Sequence, residues 1–156
     1  MSWTQQKLVI APMYAEDSTD AISQLGELLL SNDYVKDTFI DAVLEREKVF
    51  ATGLPTPEIQ VAIPHSDPEH VRKTAIAIGV LPEPVSFGEM GNPEGTVDVN
   101  VICVLAVKQA DFLVSLLQDL VAIFQDAEIL HQIVTADSAE DVAAIFNQRL
   151  PDYQEE

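Results

Sequence analysis

Three histidines occur in the 156-residue chain, and His65 has the sequence setting best suited to chemistry. It follows the apolar residues Ala62 and Ile63 and then Pro64, whose ring stiffens the backbone just before the histidine. Imidazole titrates near pH 6.5, so about three-quarters of such side chains are neutral and nucleophilic at pH 7. One ring nitrogen can attack while the other donates a hydrogen bond that fixes the tautomer. The pattern suits a histidine that accepts a phosphoryl group, and also a structural or solvated histidine at a strand end.

Arg46, Thr52 and Gly53 form a second group of residues that could take part in chemistry. Arg46 is expected in the last turn of a helix, where an arginine commonly only complements the helix dipole or pairs on the surface. A guanidinium fork also matches the geometry of a phosphate. Thr52 and Gly53 follow and offer a hydroxyl and freely oriented backbone amides. The spacing is not that of a nucleotide-binding P-loop or a dinucleotide fingerprint.

The few cationic side chains are unevenly placed along a strongly acidic chain. Eight lysines and arginines face 26 aspartates and glutamates, which gives a net charge of −18. Four of the eight cations lie in segment 46–73, which also holds four acidic residues and is formally neutral. Chance clustering is one explanation, and a region that tolerates an anionic group is the other.

The composition excludes several classes of function. A net charge of −18 would repel nucleic-acid phosphates and anionic lipid, and a hydrophobic content of 47% argues against disorder. The single cysteine, Cys103, excludes an internal disulfide framework and a cysteine-rich zinc site, and its apolar neighbours predict a buried side chain. The longest apolar run, 101–107, is too short to cross a bilayer, and the N-terminus shows no signal peptide. We therefore expect a cytoplasmic protein.

The spacing of apolar residues predicts alternating strands and helices that would position these side chains. Strands are predicted at 6–12, 74–81, around 85–87 and at 97–106. Helices are predicted from Ser18 onward and at about 35–50, 109–126, 127–134 and 138–149. Together they predict a single α/β domain over 1–156, with its core at about 18–150, in which helices flank a small mixed sheet.

Two neighbouring stretches resemble the signature of a known family. Leu44-Glu-Arg-Glu-Lys-Val-Phe-Ala-Thr-Gly-Leu54 is followed closely by Val61-Ala-Ile-Pro-His65. They resemble the enzyme IIA domains of the phosphoenolpyruvate-dependent sugar phosphotransferase system (PTS), in the fructose, mannitol and nitrogen-regulatory superfamily. That family shows an Arg-Glu pair closing a helix, a Thr-Gly step before an apolar residue, and Ala-Ile-Pro-His shortly after. The resemblance covers most of the chain and implies the mannitol/fructose IIA-like fold.

The resemblance implies a phosphocarrier with a transient phosphohistidine and no cofactor. His65 matches the histidine that is phosphorylated by the small phosphocarrier HPr and passes the group to a IIB component, which acts with a membrane IIC. Arg46 matches the arginine that steadies the phosphoryl oxygens. Thr52 and Gly53 match the turn beside the site and are expected to position it.

Phe112 departs from the family pattern. Mannitol and fructose members carry a second histidine at the start of the long helix, and Phe112 occupies that position here. A phenyl ring cannot donate a hydrogen bond to a phosphoryl group. Galactitol-type IIA proteins also lack this histidine, so the resemblance points to uptake of a hexitol such as galactitol. A phosphorylatable or binding module of the nitrogen-regulatory kind is the alternative.

His70 and His131 are not expected to take part in the chemistry. His70 lies five residues beyond His65, and a zinc site built from both histidines and an acid has no firm third ligand, so no metal is expected. His131 falls in a predicted short amphipathic helix and is expected at the surface or in an interface.

Overall fold

A mixed five-stranded sheet with helices on both faces organises the chain. The computed structural model describes residues 2–152, so Met1 and residues 153–156 of the predicted domain lie outside the described residues. The strands are β1 (Val9–Ile10), β2 (Gly53–Leu54), β3 (Gln60–Ala62), β4 (Ala75–Glu89) and β5 (Asn92–Ala106). The helices are α1 (Ser18–Ser31), α2 (Phe39–Val49), α3 (Ala110–Phe124), α4 (Ala127–Val134) and α5 (Ala139–Arg149). Short 3-10 turns cover Gln6–Leu8 and Pro68–His70.

The long antiparallel hairpin of β4 and β5 is the centre of the sheet. β1 runs parallel to β4 on one side, and β3 runs parallel to β5 on the other. β2 pairs antiparallel with β3 and meets the far end of β4, where Gly53 is opposite Glu89. After β3 the chain continues beside the C-terminal half of β5, and His65 lies in this stretch.

Alternating side chains of β5 divide the core into two layers, as expected for a strand covered on both faces. Val101, Cys103 and Leu105 pack with α3, α4 and α5, whereas Ile102 and Val104 pack with α1 and α2. Cys103 is fully buried, as predicted, and burial strongly raises the pKa of its thiol. The predicted fold class is confirmed.

Helix ends agree with the sequence pattern where a capping side chain is present. Asp17 accepts a hydrogen bond from the Asp20 amide at 2.8 Å at the start of α1. Ser138 accepts one from the Asp141 amide at 3.1 Å at the start of α5, as its spacing predicts.

The predicted bounds of two elements near the N-terminus were wrong. The strand expected at 6–12 is reduced to Val9–Ile10, because a 3-10 turn precedes it and Pro12 has no N–H to continue a ladder. The helix expected from about 35 begins at Phe39, because Val35 is extended and forms an isolated bridge with Val71.

The core is also larger than predicted, and the central strands are longer. Trp3 and Leu8 are buried, so packing begins before residue 18. Within segment 82–95 only a short strand around 85–87 was predicted, yet the segment continues the two central strands. A register shift between Val80 and Val85 accommodates the prolines there, which are tolerated in sheets at such irregularities.

Candidate active site

His65 is held by backbone pairing just beyond the end of β3. The Leu105 amide donates a hydrogen bond to the Pro64 carbonyl at 2.9 Å, and His65 and Leu105 form an isolated parallel bridge. Pro64 itself has no N–H to donate, so its position beyond the paired strand costs no ladder bond. The histidine is only 6% exposed, and its position is therefore set by the sheet.

The hydrogen bond at Nδ1 determines the tautomer of His65. Nδ1 lies 2.8 Å from the Ile63 carbonyl oxygen, which can only accept, so Nδ1 carries the proton and donates. In the neutral ring Nε2 then keeps its lone pair. Burial lowers the pKa of His65 from its ordinary value, and the positive charge of Arg46 acts in the same direction. The Ile63 hydrogen bond and Asp67 oppose this shift without reversing it, so the imidazole is neutral at pH 7.

Arg46 lies in the last turn of α2 and faces the histidine segment. Its Nη1 is 3.7 Å from Oδ1 of Asp67, and its guanidinium carbon lies 5.2 Å from the centre of the Phe50 ring. The side chain is 35% exposed, yet Nε is shielded from solvent and has no hydrogen-bond partner among the described residues. A buried guanidinium N–H without an acceptor is costly, so the arginine retains a donor that an anion could satisfy.

Glu47 ties the end of α2 to the start of β2. Its two carboxylate oxygens accept hydrogen bonds from the Thr52 amide and the Thr52 hydroxyl, each at 2.8 Å. Burial raises the pKa of Glu47, while the two Thr52 bonds and Arg46 act in the opposite direction. The chain between Arg46 and Thr52 is thereby closed into a fixed turn.

This arrangement corrects the expectation that Thr52 presents free donors. Both donors of Thr52 are occupied by Glu47, and Thr52 is only 2% exposed. Gly53 is required for a close approach, because an added Cβ would lie 2.4 Å from Val97 Cγ2 and 2.5 Å from the Gly88 carbonyl oxygen. Any positioning by these two residues would therefore act through the shape of the turn.

An open cleft of about 510 Å³ brings His65, Arg46 and Thr52 together. Its remaining lining side chains are mainly apolar: Phe50, Ala51, Ile63, Met90, Leu117, Gln118 and Val121. Three of the apolar residues are exposed, Phe50 at 61%, Met90 at 40% and Val121 at 36%. The histidine thus lies in a recess with an apolar rim, a setting in which a polar interaction is stronger than in water.

Comparison with known proteins identifies the family of the chain. The family model for the phosphoenolpyruvate-dependent sugar phosphotransferase system, EIIA 2, matches residues 2–149. The chain belongs to this family. As an EIIA type 2 protein, it is a phosphotransferase component.

Two curated relatives are specific for different hexitols. The mannitol-specific phosphotransferase enzyme IIA component of Bacillus subtilis is 32% identical over 132 residues, covering 83% of this chain and 85% of the relative. The galactitol-specific EIIA component of Escherichia coli K12 is 26% identical over 119 residues, covering 76% and 79%. The mannitol relative is therefore the more similar of these two.

Two solved structures share the fold of this EIIA protein. The nitrogen regulatory protein IIA-Ntr of Neisseria meningitidis is 27% identical with a TM-score of 0.76, covering 92% of this chain and 96% of that one. The complex of IIA mannitol with phosphorylated IIB mannitol of Escherichia coli matches with a TM-score of 0.73 and 22% identity, covering 90% and 94%. The second likeness shows the fold alone.

The long helix α3 reaches the EIIA cleft through residues after its first turn. Phe112, in the position of the second family histidine, packs against the core layer between the sheet and α3 to α5. Leu117, Gln118 and Val121 are the α3 residues that line the cleft within the described part of the chain. Among the described residues of α3, Gln118 is therefore the polar one that lines the cleft.

The other two histidines lie in separate local contacts. Nδ1 of His70 is 2.8 Å from the Thr38 hydroxyl, and Nε2 of His131 is hydrogen-bonded to Glu58. The side chain of His131 is 54% exposed, which confirms its predicted surface position. Within residues 2–152, no group of three or more His, Cys, Asp and Glu side chains is arranged to hold a metal ion. None of the helices described there has the length and apolar content to cross a membrane.

Sequence reasoning did not identify Glu47, Met90 or Gln118 as site residues. Glu47 stands beside Arg46 in the motif, so adjacency was an available signal. Met90 lies at the tip of the hairpin and Gln118 on a helix, and neither carries a local pattern that indicates a cleft. Their roles follow from how the hairpin and α3 pack around β3.

Proposed function

We propose that this EIIA protein is a phosphocarrier that accepts a phosphoryl group on Nε2 of His65 and passes it onward. The main support is the arrangement of two side chains in the cleft. A neutral histidine, with its proton held at Nδ1, lies in the same cleft as Arg46, whose Nε is buried and has no hydrogen-bond partner within residues 2–152. The acceptor nitrogen and an unused cationic donor are thus brought together, as phosphoryl transfer requires.

The transfer needs no proton movement at His65. The Nε2 lone pair attacks the phosphorus of the donor, a bond from Nε2 to phosphorus forms, and the bond from phosphorus to the donor atom breaks. The electron pair of the broken bond stays on the donor. Because the Nδ1 proton is already donated to the Ile63 carbonyl, it remains in place throughout. Onward transfer reverses the roles, with His65 as the leaving group.

Arg46 would stabilise the charge that moves between donor and acceptor. A guanidinium forms charge-assisted hydrogen bonds with phosphoryl oxygens, and its fork suits two of them at once. The ion pair with Asp67 is long, at 3.7 Å, so little is lost when Arg46 turns toward the phosphoryl group. Thr52 and Gly53 would keep the turn beside His65 in shape.

HPr is the proposed donor and a IIB component the proposed acceptor, with a membrane IIC beyond it. The exposed apolar rim of the cleft supports the docking of a protein partner, because it leaves Phe50 and Met90 uncovered beside His65. A IIA protein with this fold forms a complex with phosphorylated IIB in Escherichia coli, which supports a IIB component as the acceptor. We place this exchange in the cytoplasm.

We propose a hexitol as the transported substrate. The relatives compared are specific for mannitol and for galactitol, and both sugars are hexitols. The absence of the second histidine favours the galactitol type, whereas identity favours the mannitol type. Substrate choice in these systems belongs to the membrane component, so the hexitol class is the proposal that this chain supports.

Regulation is the second candidate function. The fold matches IIA-Ntr of Neisseria meningitidis with a TM-score of 0.76, and Phe112 replaces the second histidine found in mannitol and fructose members. A regulatory protein would be phosphorylated at His65 and would control another protein instead of supplying a sugar pathway.

Incubation with enzyme I, HPr and phosphoenolpyruvate tests the proposal, with intact mass as the readout. We expect a gain of one phosphoryl group that is absent in His65→Ala and is lost on addition of a hexitol-pathway IIB. Stable labelling without transfer to any IIB would favour regulation. No labelling of the folded wild-type protein would contradict both functions.

A further inference from the structure

We propose that the side-chain amide of Gln118 donates a hydrogen bond to the phosphoryl group on His65. This inference rests on the proposed phosphorylation of His65 and assigns a second ligand to the same group. Two observations support this role: which hydrogen-bond donors of the cleft are still available, and where Gln118 lies on α3.

Of the residues that the structure describes, four with polar side chains line the cleft: Arg46, Thr52, His65 and Gln118. His65 is the nucleophile, and both donors of Thr52 are held by Glu47. The other lining side chains are apolar. Arg46 and Gln118 are therefore the side chains of the cleft with donors available for a phosphoryl group.

A phosphoryl group needs more than one donor in such a setting. It presents three oxygens and carries a charge of about −1.5 to −2 at neutral pH. The guanidinium of Arg46 brings one positive charge from the side of α2. Oxygens that face an apolar wall would be left without partners, and an unpaired charged oxygen in a cleft is costly.

Gln118 can supply the missing donor from the side of α3. Leu117, Gln118 and Val121 of α3 line the same cleft as His65, so this face of the helix borders the cleft. The amide group of Gln118 offers two N–H donors and has no hydrogen-bond partner within the part of the chain that the structure describes. A neutral donor adds a bond without adding a second charge.

This placement also bears on the replacement of the second histidine by Phe112. Gln118 is six residues farther along α3, about 9 Å along the helix axis. In this chain α3 would thus still supply a hydrogen-bond donor, from Gln118 instead of from a histidine at position 112. Phe112 instead packs against the apolar layer.

The equilibrium of phosphoryl exchange with HPr tests the role of Gln118. Phosphorylated HPr and this protein are mixed, and the phosphorylated fraction of each is measured at equilibrium by intact mass. This equilibrium constant depends only on the separate phosphorylated and unphosphorylated proteins, so a residue that merely contacts HPr in the complex cannot change it. In Gln118→Ala we expect a shift of about tenfold toward phosphorylated HPr, the loss of a hydrogen bond to a charged group.

A size-matched variant and a control variant sharpen the test. In Gln118→Glu a carboxylate replaces the amide donors and repels the phosphoryl oxygens, so the shift should exceed that of Gln118→Ala. Gln125→Ala removes the same side chain at the C-cap of α3, outside the cleft, and should match the wild type. Gln118 is exposed, so its variants should unfold at wild-type urea concentrations.

The outcomes separate this inference from the function on which it rests. If the wild type is phosphorylated on His65 and Gln118→Ala has an unchanged exchange equilibrium, Gln118 is not a ligand while the phosphocarrier function stands. A Gln118→Glu variant equal to the wild type would overturn the inference in the same way. If the wild type accepts no phosphoryl group, the proposed function fails first.

Discussion

Replacement of Arg46 by alanine should slow phosphoryl transfer while leaving the fold intact. Two contacts of the folded protein would be lost, the 3.7 Å ion pair with Asp67 and the stacking over Phe50. The variant also removes the buried Nε, which has no partner among the described residues. An ion pair to a carboxylate that is 70% exposed contributes about 0–1 kcal/mol. A cation over an exposed ring contributes about 0.5–1 kcal/mol. Removal of an unpaired buried N–H offsets these losses by about 1–3 kcal/mol.

Because the offset is as large as the losses, Arg46→Ala should lower the unfolding free energy by no more than about 1 kcal/mol. The expected change in transfer rate is much larger. Hydrogen bonds to charged groups contribute about 1.5–3 kcal/mol, which corresponds to a rate about tenfold to a hundredfold lower. The rate is measured by rapid quench with phosphorylated HPr in excess, and the stability by urea denaturation of the same preparation.

Lys48→Ala is the matched control for Arg46→Ala. It removes the same charge from the same helix, but Lys48 is 70% exposed and pairs with Glu45 at the surface. Its transfer rate should remain near that of the wild type at moderate salt. A different result would show that Arg46 is structural and does not stabilise the phosphoryl group. In that case Arg46→Ala would lose several kcal/mol of stability while its folded fraction accepted phosphoryl groups at the wild-type rate.

Three further predictions follow from contacts around the cleft. Because burial lowers the pKa of His65, its imidazole NMR signals should titrate below pH 6.5. Its contribution to stability should fall as pH drops from about 6.5 toward that lower pKa. A titration at or above pH 6.5 would contradict a buried, neutral His65. Glu47→Gln keeps one acceptor oxygen for the two Thr52 donors, so urea denaturation should show a loss of about 1 kcal/mol, and an unchanged midpoint would show that the pair is not stabilising. Gly53→Ala should lower the unfolding free energy by about 1–3 kcal/mol, because its Cβ would overlap the Gly88 carbonyl; wild-type stability would mean that β2 can shift at little cost.

The fold class could be predicted because local patterns agree with the final packing. The β-branched segments became central strands, and the amphipathic segments became helices with their apolar faces on the sheet. The extent of the central hairpin was not predictable from proline and glycine content. Those residues normally indicate turns, and here a register shift after Val80 lets the strand continue.

Two residues of the candidate site could be proposed from one stretch of sequence. His65 and Arg46 were selected by residue type and by the family resemblance, and the structure brings them into one cleft. The state of Thr52 was not predictable, because a hydroxyl near a glycine can bind a ligand or a carboxylate, and packing places Glu47 beside it. The contribution of Gln118 depends on the rotation of α3 over the sheet, which no local pattern determines.

The charge pattern gains a structural interpretation. Segment 46–73 is formally neutral in a chain of net charge −18, and it contains both Arg46 and His65. The two residues converge although 18 positions separate them in sequence, because β2 and β3 fold the chain back on itself. The acidic excess therefore lies outside the segment that forms most of the proposed phosphoryl site.

The ring nitrogen that carries the phosphoryl group is the most direct test of His65 as the phosphoryl acceptor. Nitrogen-15 NMR of the histidine ring after phosphorylation by HPr distinguishes attachment at Nε2 from attachment at Nδ1. We predict a phosphoryl group on Nε2, with the Nδ1 proton retained and still bonded to the Ile63 carbonyl. Attachment at Nδ1, or at any residue other than His65, would contradict phosphoryl transfer through Nε2 of His65.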